Sequence, residues 1–90
     1  MWKSCQARVL RLRYGVTLAE LAQAAGVSRQ LLSAIELEPA RQTPYHEALL
    51  RLAFRRVTAR RRERAQALER ALDRCPCLFA PAEEEDEHGI

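Results

Sequence analysis

The sequence predicts an all-α fold, and three observations predict it. Punctuation is sparse, with glycine only at 15, 26 and 89 and proline only at 39, 44, 76 and 81. Between these breaks, apolar residues recur at three- and four-residue spacing, which gathers them on one face of a helix. No run alternates apolar and polar residues long enough to argue for a strand.

Residues 2–14 form the first expected helix, with Trp2, Cys5, Val9 and Leu12 as its stripe and Leu10 beside them. Lys3, Arg8, Arg11 and Arg13 fall largely elsewhere. Gly15 ends it, because glycine accepts the left-handed conformation found after helix C-termini. Thr17 and Glu20 form a T-x-x-E capping box that starts a second helix, running to about Ala25. Gly26 breaks it, and Ser28 caps a third helix from Arg29 to about Leu37. Residues 38–43 form a loop. Thr43 as cap and Pro44 at the first helical position open a fourth helix, whose apolar face is Leu49, Leu50, Ala53, Phe54 and Val57. Six arginines then stand between Arg55 and Arg64. Thr58, among them, either caps a separate fifth helix or lies inside a continuing fourth. The apolar phase resumes at Ala65, Leu68, Leu72 and Cys75. Pro76 closes the helix, because the residue before a proline is driven out of the α region. The chain therefore divides into 1–57, 58–75 and a poorly ordered acidic tail, 76–90.

Ninety residues make one small domain with a tail, too little for a cleft between two lobes. An apolar share of 48% is ordinary for a globular chain. No apolar run approaches the roughly 20 residues of a membrane span. No signal-peptide core follows Met1, so a cytoplasmic protein is expected. The net charge of +3 hides an asymmetry. Residues 1–82 hold all 15 basic residues against seven acidic ones, a net +8, and the other five acids are Glu83 to Glu87. Fourteen of the basic residues are arginine, whose planar fork fits phosphates and base edges better than lysine does. Such a body suits a polyanionic partner. Three cysteines, two of them at 75 and 77, make no disulfide framework.

The informative stretch is Leu18 to Leu37. Two short helices meet there at a sharp angle across a turn, and this dictates several positions. Ala22 is small because the third helix passes over it. Gly26 takes a turn conformation costly for other residues. Leu21, Ala25, Val27, Leu32 and Ile35 fill the angle. All seven positions suit their places.

These residues carry a resemblance. From about Val9 to Val57 the chain resembles the phage Cro and repressor type of helix-turn-helix domain, the xenobiotic-response-element-like family. The elements that match are Leu12-Arg13 before Gly15, Thr17-Leu18-Ala19-Glu20-Leu21-Ala22, Gly26-Val27-Ser28, Ile35-Glu36, and Pro44 followed by Leu49 to Ala53. The resemblance implies a five-helix lambda-repressor-like domain, here with a helical C-terminal extension. It further implies sequence-specific binding to double-stranded DNA, with the third helix in the major groove and dimers on two half-sites. Transcriptional repression is the usual outcome. The chain departs from the pattern at Glu38-Pro39, where the family usually has glycine two residues after the glutamate at Glu36.

On that reading Arg29 and Gln30 reach base edges, arginine to guanine and glutamine to adenine, with Ser33 and Ala34 next along the same face. Leu31 either meets a thymine methyl or packs on the loop. Thr17 and Ser28 cap their helices and, at those N-termini, meet phosphates. Arg41 and Gln42 take over the loop's phosphate contacts. Arg11 and Glu36 match positions that form a structural ion pair. Ala65, Leu68 and Leu72 make a narrow stripe suited to a homodimer seam; alternatively the same helix folds back beside Leu49 and Phe54. Two other classes remain open: a module binding a protein partner, such as an antitoxin or anti-activator, favoured by Leu31 and Glu38, and a non-specific DNA-coating protein, favoured by the arginines of 55–64. No catalytic site is expected, because nothing resembles a phosphate loop, a nucleophile elbow or paired carboxylates. No metal or other cofactor is expected. Cys75 and Cys77 lack the usual gap of about two to four residues, and Cys5, His46 and His88 form no second cluster.

Overall fold

A computed structural model describes residues 4–82. The expectations for Trp2, Lys3, His88 and the acidic run 83–87 lie outside the described residues. Four α-helices occur there: α1 (Gln6–Arg13), α2 (Leu18–Ala25), α3 (Arg29–Leu37) and α4 (Pro44–Asp73), with a single 3-10 turn at Pro39–Arg41 between the last two.

The core is built where the helix angles meet. Leu21, Leu32 and Ala53 are wholly buried, and Ile35, Val57, Ala22 and Ala24 nearly so. Val16, Ala25 and Leu50 complete the cluster, with Ala7, Leu18, Val27, Leu31, Leu49 and Phe54 packed against it. Each fully buried large side chain stabilises the fold by about 1.5–3 kcal/mol. The residue of α1 that goes inside is Arg11, not an apolar one. Cys5 and Val9 are only half-buried and Leu12 is exposed. The stripe expected for α1 therefore gives way to a charged anchor.

The expected five helices are four, because α4 is unbroken over 30 residues. Arginine and alanine are good helix formers, and neither glycine nor proline stands between residues 45 and 75. The Thr58 hydroxyl donates to the Arg55 carbonyl at 2.9 Å, a bond made inside a helix rather than at the start of one. The first half of α4 buries Leu50, Ala53 and Val57. From Thr58 to Asp73 every residue is exposed, including Leu68 at 60% and Leu72 at 46%. This half projects from the body instead of folding back beside Leu49 and Phe54, and it gives the molecule its long dimension of 54 Å against 26 and 23 Å.

Candidate nucleic-acid interface

The α2–turn–α3 unit is held by local hydrogen bonds at each junction. Thr17 Oγ1 accepts from the Glu20 N–H at 3.0 Å and so caps α2. Gly26 closes the helix in the left-handed region at φ +73°. Its N–H donates to Gln23, and the Val27 N–H donates to Ala22 at 3.0 Å, the paired bonds of a glycine C-cap. Ser28 Oγ then accepts from the Leu31 N–H at 3.0 Å and caps α3. Leu21, Leu32 and Ile35 are sealed in the angle, over an Ala22 that is 2% exposed.

This leaves one face of α3 outward. Arg29 and Gln30, in its first turn, are exposed, and among the described residues neither side chain is tied up in a hydrogen bond. Ser33 and Ala34 follow on the same face, half-buried. Leu31, half-buried, packs against the core.

α3 is braced from behind. The Arg11 guanidinium donates to both carboxylate oxygens of Glu36, from Nε at 2.8 Å and Nη2 at 3.1 Å. Its Nη1 donates to the Val16 carbonyl at 3.2 Å. Arg11 is 8% and Glu36 3% exposed, so the charges share a dry site. The C-terminal end of α3 is satisfied by Gln42, whose amide nitrogen donates to the carbonyls of Ile35 and Glu36 at 3.0 and 3.3 Å. Arg41 pairs with Glu38 at 3.0 Å on the exposed side of the loop. The His46 ring nitrogen Nδ1 donates to the Arg41 carbonyl, and Thr43 caps α4. The charge of Glu38, which departs from the family pattern, is thereby paired within its own loop.

Two arginines of α4 fasten this unit to the long helix, and sequence reasoning missed both. Arg56 Nη1 donates to the Ala24 carbonyl at 3.0 Å, near the C-terminal end of α2. Arg61 donates to the carbonyls of Tyr14 and Gly15 at 3.1 and 2.9 Å, and to Glu20 at 2.8 and 3.3 Å. Glu20 therefore turns mainly toward Arg61. The Arg61 hydrogen bond holds its carboxyl below the usual 4.5, against the opposing effect of burial, with lesser help from the Arg61 charge, the Thr17 N–H and the Arg64 charge. Bonds from a guanidinium to backbone carbonyls leave no periodic trace. The one available signal was the excess of arginine itself.

The Helix-turn-helix family model matches residues 8–45. Residues 8–45 are a helix-turn-helix domain of the Cro and repressor type. The helix-turn-helix domain spans most of α1, all of α2 and α3, and the start of α4. Most of α4 lies beyond it. Domains of this class bind DNA and regulate transcription, and they are generally not enzymes. No curated protein and no solved structure matches the chain. Among the described residues no helix is long and apolar enough to cross a membrane. Ala65, Leu68 and Leu72 sit outside the helix-turn-helix domain on the projecting half of α4.

Proposed function

We propose that this chain is a sequence-specific repressor that binds a palindromic operator as a homodimer. The observation that carries the reading is the start of α3. Arg29 and Gln30 stand exposed and unengaged on a helix that is capped at Ser28, braced by the Arg11–Glu36 pair and closed off by Gln42. Side chains so presented suit guanine and adenine edges in the major groove, with Ser33 and Ala34 closing on the next bases. Thr17 and Ser28 meet backbone phosphates at the helix N-termini. Arg41 adds a contact from the loop, and Gln42 holds that loop in place from behind.

The dimer seam is the stripe Ala65, Leu68 and Leu72. It continues along α4 from Phe54 and Thr58, which line an apolar groove with Leu10, Tyr14 and Val16. A two-fold pair reads two half-sites, which is how so small a reading surface reaches useful specificity. The protein-partner alternative rested on Leu31 and Glu38. Leu31 packs partly on the core and Glu38 forms an exposed pair with Arg41, which favours the DNA reading over that alternative.

Selection from a pool of random duplexes tests the reading. It should return an inverted repeat, and Gln30→Ala should then weaken binding to it by about 1–3 kcal/mol and relax one position per half-site. A selection that enriches no sequence overturns the proposal.

A further inference from the structure

The arginines of α4 beyond the helix-turn-helix domain are not equivalent. Arg56 reaches the C-terminal end of α2, and Arg61 reaches Glu20 near its start and the carbonyls of Tyr14 and Gly15 ahead of it. The two helices thus run antiparallel, and α4 continues past the beginning of α2 as far as Asp73. Where they part there is a recess lined by Thr17, Glu20, Gln23, Arg60, Arg61 and Arg64. Its only carboxylate is Glu20, and Arg61 takes both of that carboxylate's oxygens. Arg60 and Arg64 form no ion pair among the described residues. They stand four residues apart, one turn of the same face, where like charges repel and weaken a helix. Such an arrangement calls for an anion of high charge density.

We propose that Arg60 and Arg64 form a second DNA-backbone site, which holds phosphate oxygens beside α2 and lies outside the base-reading unit. The proposal rests on the reading of the domain as a DNA binder and extends its footprint. Arg61 is the positioning residue. Its bonds to two carbonyls and a carboxylate fasten α4 against α2, so the neighbouring guanidinium groups are carried on a fixed frame. Guanidinium groups bind phosphate through paired N–H donors. Thr17, which lines the same recess, joins it to the phosphate contact proposed for α2. At about 100° per residue, the Arg60–Arg64 face lies roughly a quarter turn from the Ala65–Leu68–Leu72 stripe. One helix can therefore hold a partner and a phosphate track at once.

The salt dependence of binding to a random-sequence DNA duplex tests this. For Arg60→Gln/Arg64→Gln the slope of log affinity against log salt should become shallower by about 0.9 for each arginine lost. Arg62→Gln removes a charge from the opposite face and should leave the slope where the parent has it. Both variants change exposed side chains, and unchanged thermal unfolding will confirm that the fold is kept. A double variant with the parent's slope overturns the proposal. So does an Arg62→Gln variant that flattens the slope as much per charge, since the effect would then be net charge alone. Gln30→Ala separates the two readings. If it loses site preference while the Arg60/Arg64 variant keeps its slope, the second site fails and the reader stands. If the parent binds no duplex, both fail.

Discussion

Removing either member of the Arg11–Glu36 pair strands the other's charge in a site closed to water. Glu36→Gln should cost about 3–5 kcal/mol, the usual loss when one partner of a buried pair goes, read as a lower denaturation midpoint in urea. Replacing both residues by apolar ones of similar volume should recover most of that loss. A Glu36→Gln midpoint equal to the parent's would mean that the pair does not brace α3. At this scale the sequence was legible only in part. Arg11 was matched to Glu36 through the family resemblance, while its helical phase put it on the solvent side. Periodicity looks for apolar residues and cannot see a charged one that goes inside with its counter-ion. Arg56 and Arg61 were illegible for a related reason. Apart from Glu20, their partners are backbone carbonyls 32 to 47 residues away in the chain, and a carbonyl has no residue identity to read.

Among the elements, α2 and α3 were the most legible, because their boundaries are written locally. Thr17 and Ser28 each accept an N–H three residues on, and Gly26 takes the left-handed turn that closes α2. Their packing follows from side-chain size. Ala22→Leu should overpack the α2–α3 angle and cost about 1–3 kcal/mol, seen as a fall in Tm. A Tm that does not move would mean the angle has room to spare. The α4 boundary was not legible, because threonine serves equally as a cap and as an interior residue that bonds back to its own helix. Only the surroundings of Thr58 decide between them, and here the arginines on both sides favour continuation. The loop 38–43 was legible as a loop, but the inward turn of the Gln42 amide was not. That turn depends on where the end of α3 comes to lie.

For the whole molecule, the distinctive fact is a helix with one half in the core and the other in solvent. An isolated, fully exposed helical stretch of this length is only marginally stable in water, so the outer half gains from a partner along its stripe. Leu68→Glu/Leu72→Glu should convert the proposed dimer to a monomer in sedimentation at micromolar concentration and lower affinity for the selected duplex. Helix content, measured by circular dichroism, should mostly survive. A parent protein that sediments as a monomer both on and off DNA would refute the seam.

The unbroken course of α4 also makes it a gauge with a phase. A 30-residue helix measures about 45 Å, with the helix-turn-helix domain clasped at one end and the apolar stripe near the other. Neither glycine nor proline stands between them, so in the proposed dimer the separation of the two helix-turn-helix domains is written into the residue count of the outer half. One alanine added after Arg64, beyond the Arg61 clasp, would advance the stripe by about 1.5 Å and swing it through about 100° relative to the helix-turn-helix domain. Seven added residues would restore the azimuth to within about 20° and carry the stripe about 10.5 Å further out, roughly three base-pair steps along a duplex. The half-site spacing accepted by the proposed dimer should therefore change in steps of the heptad, with binding lost at the lengths in between.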